Sequence, residues 1–106
     1  MAVRRCEVEF ARSAQDDLDD IVAWYTSQQV PEVGLRLVGD IIERVEQLET
    51  FPESGRVVPE FDLPWLRELE LAPFRIVYRH DDPDTVSVVR VRRSQRLMGP
   101  DIAGNV

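Results

Sequence analysis

The chain has no lysine; all 13 of its basic residues are arginine. Genome base composition accounts for that as readily as chemistry does. It also has a single cysteine and a single histidine in 106 residues. One cysteine, Cys6, excludes an intrachain disulfide and a cysteine-based zinc site, and it fits a reducing compartment, the cytoplasm. No apolar run approaches the ~20 residues that cross a bilayer, and uncharged stretches such as Ile21 to Val30 and Ala72 to Phe74 contain polar residues or proline. Behind Arg4 and Arg5, Glu7 and Glu9 interrupt any apolar segment that could act as an export signal. The standard catalytic signatures are missing as well: there is no phosphate-binding glycine loop, no Gly-x-Ser-x-Gly elbow and no His-Glu-x-x-His helix. His80, set among Asp81, Asp82, Pro83 and Asp84, reads as a turn. The acidic run Asp16 to Asp20 lacks the glycine and glutamate that a calcium loop requires. No metal and no cofactor is expected.

What is present is ordinary globular composition, 43% apolar and 31% charged, in a length that suits one small core. The net charge of −7 is unevenly spread. Residues 1–62 hold 14 acids against 6 arginines, whereas residues 63–98 hold 7 arginines against 5 acids. An acidic chain argues against tight binding to free nucleic acid through bulk charge, yet it leaves room for a local arginine face in the second half.

Hydrophobic periodicity supplies the elements. Cys6, Val8 and Phe10 alternate with Glu7 and Glu9, a half-buried strand over about 3–10 with Cys6 facing inward. Ser13 and Asp16 form a capping-box pattern, and Leu18, Ile21, Val22 and Tyr25 follow helical spacing, which predicts a helix over 14–28 with its first-turn acids set against the dipole. Pro31 suits a first helical position, and Leu35, Val38, Ile41, Ile42, Val45 and Leu48 predict an apolar stripe along a second helix over 31–50. The short connection makes the two an antiparallel hairpin. Three prolines and Gly55 predict a loop from Pro52 to Pro64. Strand-like runs follow at 65–71, 74–79 and 85–93, close enough together to form an antiparallel meander. The predicted fold class is therefore α+β, a single small β-α-α-β-β-β domain over 1–98 with the helical hairpin packed on an antiparallel sheet, followed by a flexible tail over 99–106.

Strand alternation has a consequence for the arginines. If Phe74, Ile76 and Tyr78 face the helices, Arg75 and Arg79 share the opposite face. Arg90, Arg92, Arg93 and Arg96 follow one strand later, and Arg56 at the end of the loop can reach the same rim. Guanidinium forks suit phosphate or carboxylate recognition. The same pattern equally describes an ordinary sheet face paired with internal acids.

Several segments taken together carry a likeness: Asp16-Asp-Leu-Asp-Asp-Ile21 with Tyr25, Pro52-Glu-Ser-Gly-Arg56, Leu66-Arg-Glu-Leu69, Phe74-Arg-Ile-Val-Tyr-Arg79 and Val86-Ser-Val-Val-Arg-Val91. In this order, over about residues 5–98, the chain resembles the RelE/ParE superfamily of type II toxins, and its ParE-like members more closely. The resemblance implies a cytoplasmic toxin of a plasmid- or chromosome-borne stabilisation system, held inactive by a cognate, ParD-like antitoxin. It implies one of two activities, poisoning of DNA gyrase or ribosome-dependent cleavage of messenger RNA; a decayed, non-toxic antitoxin-binding remnant is a third possibility. RNA cleavage needs a proton acceptor and a proton donor besides positive charge. Where many relatives have a histidine after the last strand, this chain has Arg93, whose pKa is too high for proton transfer. If it is a nuclease, the groups to consider are Arg56, Tyr78 and Arg93, with Glu68 as a further substitute. Gyrase poisoning is favoured; it requires no catalytic set, and the expected target-binding residues are Arg56, Arg75, Arg79, Arg93 and Arg96. Trp24, Phe61 and Trp65 are expected anchors for the antitoxin.

Overall fold

The computed structural model describes residues 5–94. Arg96 and the expected tail over 99–106 lie outside the described residues. The elements are β1 (Glu7–Phe10), α1 (Arg12–Ser27), α2 (Pro31–Val45), a 3-10 turn (Glu46–Glu49), β2 (Arg56–Val57), β3 (Leu66–Leu71), β4 (Phe74–Asp82) and β5 (Thr85–Arg93). They form two helices packed on a five-stranded sheet of order β1-β5-β4-β3-β2.

The meander of β3, β4 and β5 is antiparallel as expected. β1, however, pairs parallel with β5, from Glu7 beside Thr85 to Phe10 beside Val88, so the sheet is mixed. Alternation in a sequence tells which side chains point inward, not which strand lies alongside. β2, inside the predicted loop, pairs antiparallel with β3. β4 also runs further than predicted, through His80 and Asp81 to Asp82, leaving Pro83 and Asp84 as the hairpin connection.

α1 starts at Arg12 with Ala11 as an extended N-cap, and no side chain caps it. The expected capping box is therefore not formed; the Ser13 hydroxyl instead donates to the Val89 carbonyl at 2.6 Å. Ala14, Leu18 and Ile21 bury the inner face of α1. Gly34 of α2 lets the two helices approach closely, since a Cβ there would stand 3.0 Å from that of Tyr25. α2 buries Ile41 and Val45, then tightens into the 3-10 turn that buries Leu48. Its apolar stripe is narrower than predicted. Leu35 is 62% exposed and Ile42 44% exposed, because both lie on the side of the helix turned away from the sheet.

The helix-side core joins these residues to Leu69, Phe74, Ile76, Tyr78, Val86, Val88 and Val91, with Cys6 buried beside them. The opposite sheet face is not open. The segment between β2 and β3 folds over it, and Val58, Phe61, Leu63 and Trp65 pack on Leu66, Val77 and Val89 in a second, smaller core. Gly55 anchors the near end of that segment: its N–H donates to the Tyr78 hydroxyl at 3.0 Å, and a Cβ there would meet the Glu68 carbonyl oxygen at 2.5 Å.

Candidate functional site

Arginine geometry separates the expected site residues into three neighbourhoods. The first lies where β1 ends and β5 continues. Past Val88, the edge of β5 is covered by α1 rather than by a strand. Asp17 does this through its carboxylate: Oδ2 accepts the Val91 N–H and Arg90 Nε, both at 2.8 Å, and Oδ1 accepts Arg90 Nη2 at 3.1 Å. Because α1 begins at Arg12, no acid stands in its first turn and the expected match of acids to the helix dipole is not made there; Asp17 is instead a tether between α1 and β5. Beyond that tether opens a cleft of about 640 Å³ between α1 and the ends of β4 and β5. Its mouth is formed by Trp24, Phe74 and Arg93. The Arg93 guanidinium lies 5.6 Å from the Trp24 ring and 5.5 Å from the Phe74 ring, a cation–π arrangement that sets an exposed positive charge against aromatic surface. Trp24 is 51% exposed and packs edge-on to Tyr25 at 4.8 Å. An antitoxin candidate and a target candidate therefore stand in one cleft.

The second neighbourhood is a line of alternating charges across β2, β3, β4 and the covering loop. Arg56 Nε donates to Glu68 Oε1 at 2.9 Å. Arg75 donates to both oxygens of Glu68, at 2.5 and 2.9 Å, and to both oxygens of Glu60, at 2.8 and 2.9 Å. Hydrogen bonds donated to Glu60 and Glu68 hold the Arg75 guanidinium well above its ordinary pKa, against the opposing effect of burial. Arg75 is only 5% exposed, so the expected open arginine face does not include it; it is a buried ion-pair hub. Arg56 remains exposed.

The third contains Arg79, on the same sheet face as Arg75. Its guanidinium pairs with Asp81 and lies 5.6 Å from the Trp65 ring. That hydrogen bond holds the Asp81 carboxyl below its usual range. Trp65 and Phe61 are half-buried parts of the second core rather than free surface anchors.

The groups considered for proton transfer are also placed. Tyr78 is completely buried, and burial pushes its hydroxyl above the ordinary tyrosine pKa. Glu68 is buried and committed to two arginines. Neither side chain is exposed. Among the described residues no group of three or more histidine, cysteine or acidic side chains is placed to hold a metal, and no helix is long and apolar enough to cross a membrane.

Sequence reasoning did not anticipate Asp17, Glu60 or Glu68 as partners of arginines, nor Arg67, whose guanidinium donates to the carbonyls of Pro64 and Gly55 and staples the covering loop. Asp17 and Arg90 are 73 positions apart, and no local pattern reports such a pair.

Two helices packed on this mixed sheet make a small α+β domain of the kind found in type II toxin–antitoxin systems. The chain matches the family model of the ParE toxin of the type II toxin–antitoxin system parDE over residues 8–98, and it belongs to that family. It is similar to a structure of the chromosomal ParDE toxin–antitoxin system from P. aeruginosa, with 29% identity and a TM-score of 0.71, covering 85% of this chain and 97% of that one. It shares its fold with a chain of the toxin–antitoxin complex RelBE2 from Mycobacterium tuberculosis, at 20% identity and a TM-score of 0.60, covering 90% of this chain and 98% of that one. No curated protein matches it.

Proposed function

We propose that this toxin poisons DNA gyrase in the cytoplasm and is neutralised by a ParD-like antitoxin made beside it, in a system that stabilises a plasmid or a chromosomal locus. The observation that carries the reading is the fate of the acid–base candidates. Tyr78 and Glu68 are interior groups with structural partners, while the exposed arginines Arg56 and Arg93 are too basic to transfer protons. A surface of this kind is suited to holding a protein–DNA intermediate through charge and stacking, not to breaking a phosphodiester bond. Arg93 beside Trp24 supports one docking centre and Arg56 a second; Arg79, paired with Asp81, stands apart from both, and Arg96 stays a candidate on its sequence position. Trp24, as an exposed aromatic, fits an antitoxin anchor. An antitoxin segment seated on Trp24 would also cover Arg93, so that neutralisation and target access compete for the same cleft.

The test is induction of the chain alone in a bacterium, with labelled DNA, RNA and protein precursors followed through growth arrest. Early loss of DNA synthesis, with inhibition of purified gyrase by the purified protein, is the expected result. Early loss of protein synthesis with messenger cleavage overturns it, and unimpeded growth despite confirmed expression identifies a non-toxic remnant. Within the gyrase outcome, Arg93→Ala combined with Arg96→Ala should abolish toxicity at unchanged thermal stability; full toxicity of that double variant removes the Arg93 end from the target surface.

A further inference from the structure

Arg56 differs from other exposed arginines in how it is held. Its side chain is 59% exposed, yet its Nε is bonded to a carboxylate that is wholly buried. Glu68 cannot swing away, because Arg75 grips both of its oxygens and Glu60 grips Arg75 from the far side. The charges explain why Arg56 is drawn in: Arg75 is one cation between two carboxylates, and Arg56 supplies a second. Charge–charge attraction is least screened where one partner is removed from water, so this exposed side chain has a fixed root. With Nε committed inward, the terminal nitrogens form the outward end of the planar fork. Arg56 shares a cleft of about 230 Å³ with Arg44, Ser54, Glu68 and Glu70.

We infer that Glu68 is a positioning residue that sets Arg56 as a preformed fork for an anionic group of the target, phosphate or carboxylate. Preorganisation is what an isolated surface arginine lacks, since a long flexible side chain must be ordered when it binds. The inference rests on the reading of Arg56 as part of the target surface, and the experiment separates the two.

The full-length chain is induced alone as wild type, Arg56→Ala, Glu68→Gln, Glu60→Gln and the double variant Glu68→Gln/Arg75→Met, with colony survival scored and folding checked by thermal melts of the purified proteins. Arg56→Ala should raise survival at least tenfold, and the folded double variant should match it although Arg56 is intact. Glu60→Gln, which loosens Arg75 without touching Arg56, should remain toxic. Adding Glu68→Gln to Arg56→Ala should change survival no further. A fully toxic Arg56→Ala, or a non-toxic wild type, overturns the target reading and the inference with it. A non-toxic Arg56→Ala beside a folded, fully toxic Glu68→Gln or double variant overturns the inference alone. Nitrogen-15 NMR of the wild type gives an independent readout if the Glu68 variants fail to fold. The Arg56 Nε–H should exchange with water at least tenfold more slowly than that of Arg12, whose partner Asp16 is exposed; equal rates overturn the inference.

Discussion

The two faces of the sheet are closed to water by different chemistry. On the helix side, Ile41, Val45 and Leu48 meet Ile76, Tyr78 and Val88 in an apolar core that asks only for burial and shape. On the loop side, four buried apolar residues share the space with Glu68 and Arg75, and the covering segment is held by bonds donated by Arg67 and Arg75 and by the Gly55 N–H that the Tyr78 hydroxyl accepts. One strand, β4, serves both faces. Phe74, Ile76 and Tyr78 enter the helix-side core and Val77 the loop-side one, while Arg75 is taken in by acids from β3 and the loop and Arg79, four residues on, stays at the rim.

Breaking the directed side should cost most. Arg75→Ala leaves Glu68 buried beside one remaining cation and removes the Arg75 bonds from Glu60, and should destabilise by about 3–5 kcal/mol in urea-induced unfolding. A loss under 1 kcal/mol would mean that water reaches the cluster freely. On the apolar side, Leu48→Ala removes a fully buried side chain and should cost about 2–5 kcal/mol in the same assay, with the m-value unchanged. If the two losses rank in reverse by a wide margin, the helix face, not the ion cluster, sets the stability of the domain.

Tyr78 joins the two sides, and its substitution sharpens the comparison. Tyr78→Phe keeps the ring in the helix-side core but strips the Gly55 N–H of its acceptor, at a cost of about 1–3 kcal/mol. It should also change the alkaline limb of stability. The folded pKa of Tyr78 lies above its ordinary value of 10.0, so the unfolded chain loses that proton first. Stability from this group is complete below pH 10 and falls as pH rises through the folded pKa. Tyr78→Phe should remove that part of the decline; an identical alkaline slope in both proteins would show that the hydroxyl is not protected. The smallest effect belongs to the exposed Arg12–Asp16 pair, one turn apart on α1. Arg12→Ala should shift stability by less than about 0.5 kcal/mol, and a thermal melt that moves by several degrees would assign Arg12 a role beyond that pair.

The helix-side face was largely legible in the sequence because burial leaves a period: Val8 and Phe10, Leu18 and Ile21, Ile41, Val45 and Leu48, Phe74, Ile76 and Tyr78 repeat as strands and helices require. The same rule overreached at Leu35 and Ile42, since apolar character does not say how wide a stripe the sheet will cover. The candidate site was legible as a set of residue types, not as an arrangement. Nothing near Trp24 announces Arg93, and nothing near Arg56 announces that Glu68 will be buried beneath it.

Two kinds of information are thus separable in this protein. Composition, periodicity and motif order determined the class, the two helices, the three-stranded meander and the placement of Arg75 and Arg79 on one face, because these follow from neighbours along the chain. Tertiary structure alone decided the parallel seat of β1 beside β5, the folding of residues 58–65 over the second face, the burial of Arg75 with Glu60 and Glu68, and the meeting of Trp24 with Arg93. Each depends on which distant groups exclude water together. The energy of a charge or an edge is set by that environment, and the environment exists only once the chain has closed around it.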